Sequence, residues 1–349
     1  MKKKNIINLI KYYSENNDSG FKNEAYEIAR HFDSIGDYQL AEYVMALLSD
    51  ANTFIPQMQE NESALFETVK SQGDILLLPE IIMQDLIGIV NAVSRNAGIN
   101  KFLLQGMPGT GKTEAVKQLA RILERDIYMV DFSAIIDSKL GQTQKNIAAL
   151  FKEINSFVHP EKLIVLFDEI DALAMDRSHS NDLREMGRAT SAMLKGMDYM
   201  NESIILVATT NLYEHFDKAL VRRFDSIVNF NRYTQEDLLQ VAEKMLDKFL
   251  NKFKLANRDV RLFRKIMSLL SPLPYPGDLK NIIKTAVAFS NSDDSTDYFR
   301  RLYYVVCSEY PEDLKNLQEQ KFTLREIEIL AAKSKSSVAR ELKGVENNE

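Results

Sequence analysis

A pentapeptide with an apolar centre, Lys101–Gln105, runs directly into Gly106-Met107-Pro108-Gly109-Thr110-Gly111-Lys112-Thr113, and a helix-forming stretch over residues 113–124 follows. The order strand, glycine loop, helix limits what the chain can fold into. The octapeptide fits G-x-x-x-x-G-K-[ST] at every constrained position. Its glycines let the backbone curl so that successive N–H groups converge on one concavity. The helix that follows adds the positive end of its dipole. In such a loop the lysine, here Lys112, reaches the β- and γ-phosphates of a nucleotide, and the hydroxyl of Thr113 suits Mg²⁺.

The next hundred or so residues, on the order of one domain's length, alternate strand and helix patterns. Residues 127–132, 163–167, 204–208 and 227–230 read as further strands. The runs LIVLF and IILVA are apolar throughout, as central parallel strands buried on both faces must be. With residues 101–105 this predicts a parallel five-stranded sheet covered by helices, whose ligands sit at the carboxyl ends of the strands. The polar clusters fall at those ends. Asp168 follows LIVLF and can hold Mg²⁺. Glu169 is placed to polarise an attacking water, and Asn211, ending the neighbouring strand, to orient it. An acidic pair at a strand end could instead cap the next helix, but its place downstream of a complete phosphate loop favours the catalytic reading. Arg222 and Arg223 follow in DKALVRRFD. They read either as a solvated pair or as charge delivered to the γ-phosphate of a neighbouring subunit.

Composition narrows the classes further. The 349 residues carry a formal net charge of -6, which argues against a protein built to coat nucleic acid, although a local basic pore would not show in the sum. The single cysteine, Cys307, excludes an internal disulfide and fits a reducing cytoplasm. The histidines have no metal-ligand spacing. The most apolar run, 75–90, contains Pro79, Glu80 and Asp85 and cannot cross a bilayer cheaply. The start, MKKKNIINLIKYY, reads as an amphipathic helix and not as a signal peptide. Residues 1–55 read as three helices with small residues at Ala25, Ala29 and Ala41, a docking module. Residues 56–73 are polar and read as a linker, partly helical. Residues 78–82 are the expected cover over the base. From Tyr233 onward the pattern is helical.

Phosphate loop, D-E-x-D strand, T-N strand and D-x-A-L…R-R-F-D, in this order from about residue 75 to residue 340, resemble the AAA ATPases. The family's D-x-A-L-x-R-x-x-R-F-D is shortened here: two residues between the arginines are missing, so either Arg222 or Arg223 could be the finger. Gly277-Asp278-Leu279 resembles the start of the lid helix and implies a nucleotide contact at Gly277. Many wider relatives carry an arginine there; this chain offers only Lys280, a poor substitute. Residues 323–336 resemble the last lid helices, which accounts better than a DNA-reading helix-turn-helix for LREIEILAAKSKSSVAREL. At the position of the pore loop stand Lys139-Leu140-Gly141. Lysine there offers an aliphatic stem and a charged head in place of a stacking ring.

The resemblance implies an AAA+ core over 74–231, an all-α lid over 232–349 and the small helical domain at the start. It implies binding of ATP with Mg²⁺ and hydrolysis to ADP and phosphate. It also implies a homo-oligomeric ring, expected to be a hexamer, that remodels a protein partner held by the N-terminal helices. The short chain resembles bacterial stand-alone AAA proteins of two-gene anti-phage modules, which implies a subtilisin-like serine protease as that partner. A nucleic-acid motor or loader, and an ATP-gated assembly switch, are the alternatives.

Overall fold

The computed structural model describes residues 3–15, 17–35, 37–48, 65–70, 78–95, 98–136, 142–171, 180–215, 217–253, 257–291 and 293–346. The pore-loop residues Lys139, Leu140 and Gly141 lie outside them. The chain divides into two compact units, Met1–Asn61 and Glu62–Glu349.

Among the described residues the first unit holds three helices, α1 (Lys3–Ser14), α2 (Asp18–Ser34) and α3 (Tyr38–Leu48). Asn17 starts α2 by accepting the Gly20 N–H at 2.9 Å, the usual work of an N-cap amide. Ala25, Ala29 and Ala41 are buried, so the small residues do mark the close approach of helices. Asn5 and Asn8 of α1 donate to the Glu24 carboxylate at 2.8 and 3.0 Å.

The second unit is built on one sheet of six strands: β1 (Phe66–Val69), β2 (Lys101–Gln105), β3 (Asp126–Val130), β4 (Leu163–Phe167), β5 (Ile205–Thr210) and β6 (Ser226–Asn229). Their order is β1-β3-β4-β5-β2-β6. The five strands from β2 to β6 are parallel, as expected. The expectation of five strands needs correcting, because β1 adds an antiparallel edge against β3. It comes from residues read as linker. Its four side chains are half-buried or exposed, so it carries no alternation strong enough to be recognised. Phe66 fixes it by meeting Tyr128 and Phe157 edge-on.

Among the described residues six helices flank the sheet: α4 (Glu80–Ser94), α5 (Lys112–Leu123), α6 (Phe132–Ile135), α7 (Gln142–Ile154), α8 (Ser180–Asp198) and α9 (Lys218–Val221). Ile82, Leu86 and Ile89 of α4 and Ala115, Val116 and Leu119 of α5 share a core with Ile164, Leu166 and Val207. On the other face Phe132 and Phe151 set their rings edge-on to Phe167. All five residues of β4 are buried, which is why its sequence has no polar face. The helix α8 was not apparent from the sequence. It packs on α7 so closely that a Cβ at Gly196 would stand 2.0 Å from the Phe151 ring.

The remaining helices form the lid: α10 (Gln235–Phe253), α11 (Val260–Met267), α12 (Pro276–Ala288), α13 (Asp297–Cys307), α14 (Leu314–Glu319), α15 (Leu324–Ala331) and α16 (Lys335–Glu346). Asp259 caps α11, and Thr323 with Glu326 forms a capping box on α15. Ile327, Leu330, Val338 and Leu342 of the last two helices are buried in the lid core, as a lid tail requires. Among the described residues no helix is long and apolar enough to cross a membrane.

Replacing Gly196 by alanine forces Phe151 out of its rotamer, and overpacking of this kind costs about 1–3 kcal/mol. Urea unfolding should show that loss for Gly196→Ala, and Phe151→Leu in the same chain should recover part of it. A Gly196→Ala midpoint equal to that of the parent would contradict the packing described.

Candidate functional site

The glycine loop between β2 and α5 is held from three sides. Gly106 N–H donates to the Thr210 carbonyl at 3.2 Å. Met107 N–H donates to Asn231 Oδ1 at 2.7 Å, and Thr110 Oγ1 donates to the Met107 carbonyl at 2.8 Å. The Tyr233 hydroxyl donates to the Thr110 carbonyl at 2.8 Å; burial raises its pKa, so it stays a donor. Gly109 and Gly111 have φ of 77° and 97°, the left-handed region that a side chain would oppose. These two residues set the curl that aims the loop's N–H groups inward.

Lys112 opens α5 and is 7% exposed. Its ammonium donates to the carbonyls of Gly106 and Met107 at 2.7 and 3.0 Å and to Asn211 Oδ1 at 2.8 Å. Burial pushes its pKa below the ordinary 10.5, against the opposing charges of Asp168, Asp171 and Glu169. A buried cation at the mouth of a curled loop is a ready anion site.

The carboxylates stand one strand away. Thr113 Oγ1 donates to Asp168 Oδ1 and Oδ2 at 3.1 and 3.2 Å. Thr209 Oγ1 donates to Asp168 Oδ1 at 2.6 Å and accepts the Glu169 N–H at 2.9 Å. Asn211 Nδ2 donates to Glu169 Oε1 at 3.2 Å. Asn211 thus ties Lys112 to Glu169. The hydroxyl of Thr113 and the carboxylate of Asp168 are hard oxygen donors on one spot, a donor set that fits Mg²⁺ with phosphate completing its shell. Among the described residues there is no cluster of three or more acidic, histidine or cysteine side chains that could hold a metal unaided.

Lid and loop meet through backbone. Gly277 N–H donates to the Gly109 carbonyl at 2.8 Å, and a Cβ on Gly277 would lie 2.8 Å from Gly109 Cα. Between them and the strand ends lies a cavity of about 590 Å³, lined by Gly109, Lys112, Thr113, Asp168, Glu169 and Asn211 from the core and by α10 and α12 from the lid.

Residues 102–232, which contain every core group of this cavity, match the family "ATPase family associated with various cellular activities (AAA)". This stretch resembles an AAA ATPase domain. It is 35% identical over 133 residues to an uncharacterised AAA family ATPase of Sinorhizobium fredii, covering 38% of this chain and 39% of that one. A putative 26S proteasome regulatory subunit homolog of Methanothermobacter thermautotrophicus is 26% identical over 255 residues, 68% of this chain and 63% of its own. The chain therefore spans less than two thirds of the length of these relatives. Among solved structures, a chain of the Escherichia coli MS115-1 HORMA–CdnC–Trip13 complex superposes with a TM-score of 0.54 at 18% identity, over 70% of this chain and 95% of that one. That likeness concerns the fold.

The fold brings Lys112, Thr113, Asp168, Glu169 and Asn211 into one cluster. It separates the two arginines. Arg223 is tied to Asp198 of α8 at 2.6 Å, whereas the exposed side chain of Arg222 has no hydrogen-bond or ion-pair partner among the described residues. Residues 78–82, expected over the base, do not line the cavity, and Ile82 is buried in the core. Thr209, Asn231 and Tyr233 were not singled out from the sequence. Thr209 was visible only as the first letter of T-T-N, and the other two lie outside any motif that carries chemistry.

Thr209→Val removes a donor to Asp168 and an acceptor for Glu169 N–H, leaving both underbonded. The cost is about 1–3 kcal/mol. Thermal unfolding of the nucleotide-free protein should show it for valine and not for Thr209→Ser, which keeps both bonds. Equal loss in the two variants would assign the effect to packing.

Proposed function

We propose that this chain is an Mg²⁺-dependent ATPase that works as a homo-oligomeric ring, a hexamer on the family pattern, and remodels a protein partner in the cytoplasm. The observation that carries the reading is the cluster itself, in which a loop lysine, a loop threonine and two strand-end carboxylates share hydrogen bonds through Thr209 and Asn211. Each has a role in hydrolysis of ATP to ADP and phosphate. The loop from Gly106 to Gly111 and the Lys112 ammonium hold the phosphates. Thr113 and Asp168 hold the metal, which when bound offsets phosphate charge. Glu169 accepts the proton of the attacking water, and Asn211 fixes the carboxylate that does so. Gly277 places the lid against the phosphate loop.

Arg222 supports a ring. Of the two arginines it is the one whose side chain has no partner among the described residues, and a cation that acts on a neighbour's phosphate needs a head-to-tail interface, which closes into rings. Arg223 is the positioning member, held by Asp198. The partner's chemistry is less defined. The E. coli likeness is to a chain from a complex with other proteins, which supports a protein substrate. Docking by the N-terminal helices, contact through Lys139 and Leu140, and a subtilisin-like serine protease of an anti-phage module as the partner rest on the family resemblance.

Lys112→Ala should lose ATP binding, and Glu169→Gln should bind ATP without turning it over; phosphate release at saturating ATP and Mg²⁺ reads both. Turnover by Glu169→Gln at the parent rate would sink the assignment. Arg222→Ala should lower turnover by about a thousandfold, with Arg223→Ala less affected. Mixing Arg222→Ala chains with Lys112→Ala chains should restore activity through composite sites. Heteromers that form and stay inactive would refute action in trans.

A further inference from the structure

Helix α1 packs with its more polar side and leaves its isoleucines in water. The half-buried side is Asn5, Asn8, Leu9 and Tyr12, the i, i+3, i+4, i+7 set of one helix face. Asn5 and Asn8 fix it to Glu24 of α2. The Tyr12 ring lies so close over Gly20 that a Cβ there would stand 2.8 Å from it. Ile6, Ile7, Ile10 and Tyr13 are 42%, 64%, 65% and 78% exposed. Ile6, Ile10 and Tyr13 follow one line at i, i+4, i+7, with Ile7 beside it. Single apolar side chains on a surface need no explanation, but four together on two turns of helix do. Lys4 and Lys11 continue the line of Ile7 on either side. Both are exposed, and their side chains have no ion-pair partner among the described residues. No acidic residue lies on α1; Glu15 follows its end.

We propose that α1 is a membrane-surface element: Ile6, Ile7, Ile10 and Tyr13 enter the interface of an anionic lipid leaflet, and Lys4 and Lys11 lie against its headgroups. Charge, shape and side-chain chemistry favour this occupant. The face is flanked by cations alone, which complements anionic lipid. A second copy would bring lysine to lysine across a twofold contact, and like charges repel. A peptide helix seeks a groove, whereas this face is a ridge; the concavity of the unit lies between α2 and α3, lined by Asn23, Tyr26, Glu27, Arg30 and Met45. Tyr13 ends the face with a ring that settles at headgroup depth. A helix of 12 residues lies on a bilayer and does not span it. The chain as a whole carries a net charge of -6, so attraction to an anionic surface is local to this helix and orients it.

Flotation of the full-length chain with lipid vesicles tests this, using phosphatidylglycerol and phosphatidylcholine in equal parts against phosphatidylcholine alone. The parent should float with the mixed vesicles and stay behind with the neutral ones, and added salt should release it. Lys4→Gln/Lys11→Gln should weaken binding by about thirtyfold, the worth of two lysines near an anionic surface. Ile7→Ser/Ile10→Ser should lose it. The four residues are exposed and belong to the first unit, so both variants should keep the parent's helicity and ATP turnover. A parent that ignores the mixed vesicles overturns the inference; if Ile7→Ser/Ile10→Ser then lowers the mass in solution, the face belongs to a second copy. Equal binding to both kinds of vesicle overturns it as well, as does binding that either variant retains at the parent's strength.

Discussion

The buried ammonium of Lys112 is the constraint around which the second unit is arranged. A cation taken out of water must be met by oxygen atoms, and here the loop that precedes it supplies two carbonyls while β5 supplies Asn211. Those bonds require the loop to fold back over its own helix, which in turn requires left-handed backbone at Gly109 and Gly111. They also require β2 and β5 to be neighbours with their ends level, which the parallel register provides by setting Gln105 beside Thr210. Burial lowers the Lys112 pKa in spite of three nearby carboxylates. A phosphate would replace carbonyl partners by a full negative charge, and that difference is the physical basis for affinity.

The lid is bound to this centre by contacts that leave no room for change. Gly277 and Gly109 touch through backbone, Tyr233 reaches the Thr110 carbonyl, and Tyr233 meets Tyr275 edge-on. The chain enters the lid at Arg232, which pairs with Asp85 of α4. The phosphate loop and the lid are thus joined by direct contacts.

Much of this was legible in the sequence because the strands that matter most are the most apolar. LIVLF and KFLLQ coincide with β4 and β2 to the residue, and the chemical groups sit where those strands end. The parts that were missed are those whose signal is not local. β1 is a half-exposed edge whose support comes from Tyr128 and Phe157. Thr209 acquires its role only when β4 and β5 pair. The two arginines look equivalent in R-R-F-D, and the difference between them is Asp198, on a helix that the sequence did not announce.

The central claim is that Thr113 and Asp168 form, with the phosphate loop, one site for nucleotide and metal together. The direct measurement is ATP affinity of the Glu169→Gln chain with Mg²⁺ and with chelator, compared with the same chain carrying Thr113→Val. The account predicts that Mg²⁺ tightens ATP binding in the parent, and that Thr113→Val abolishes the metal-dependent gain while binding in chelator persists. A metal-dependent gain of equal size in both proteins would contradict it.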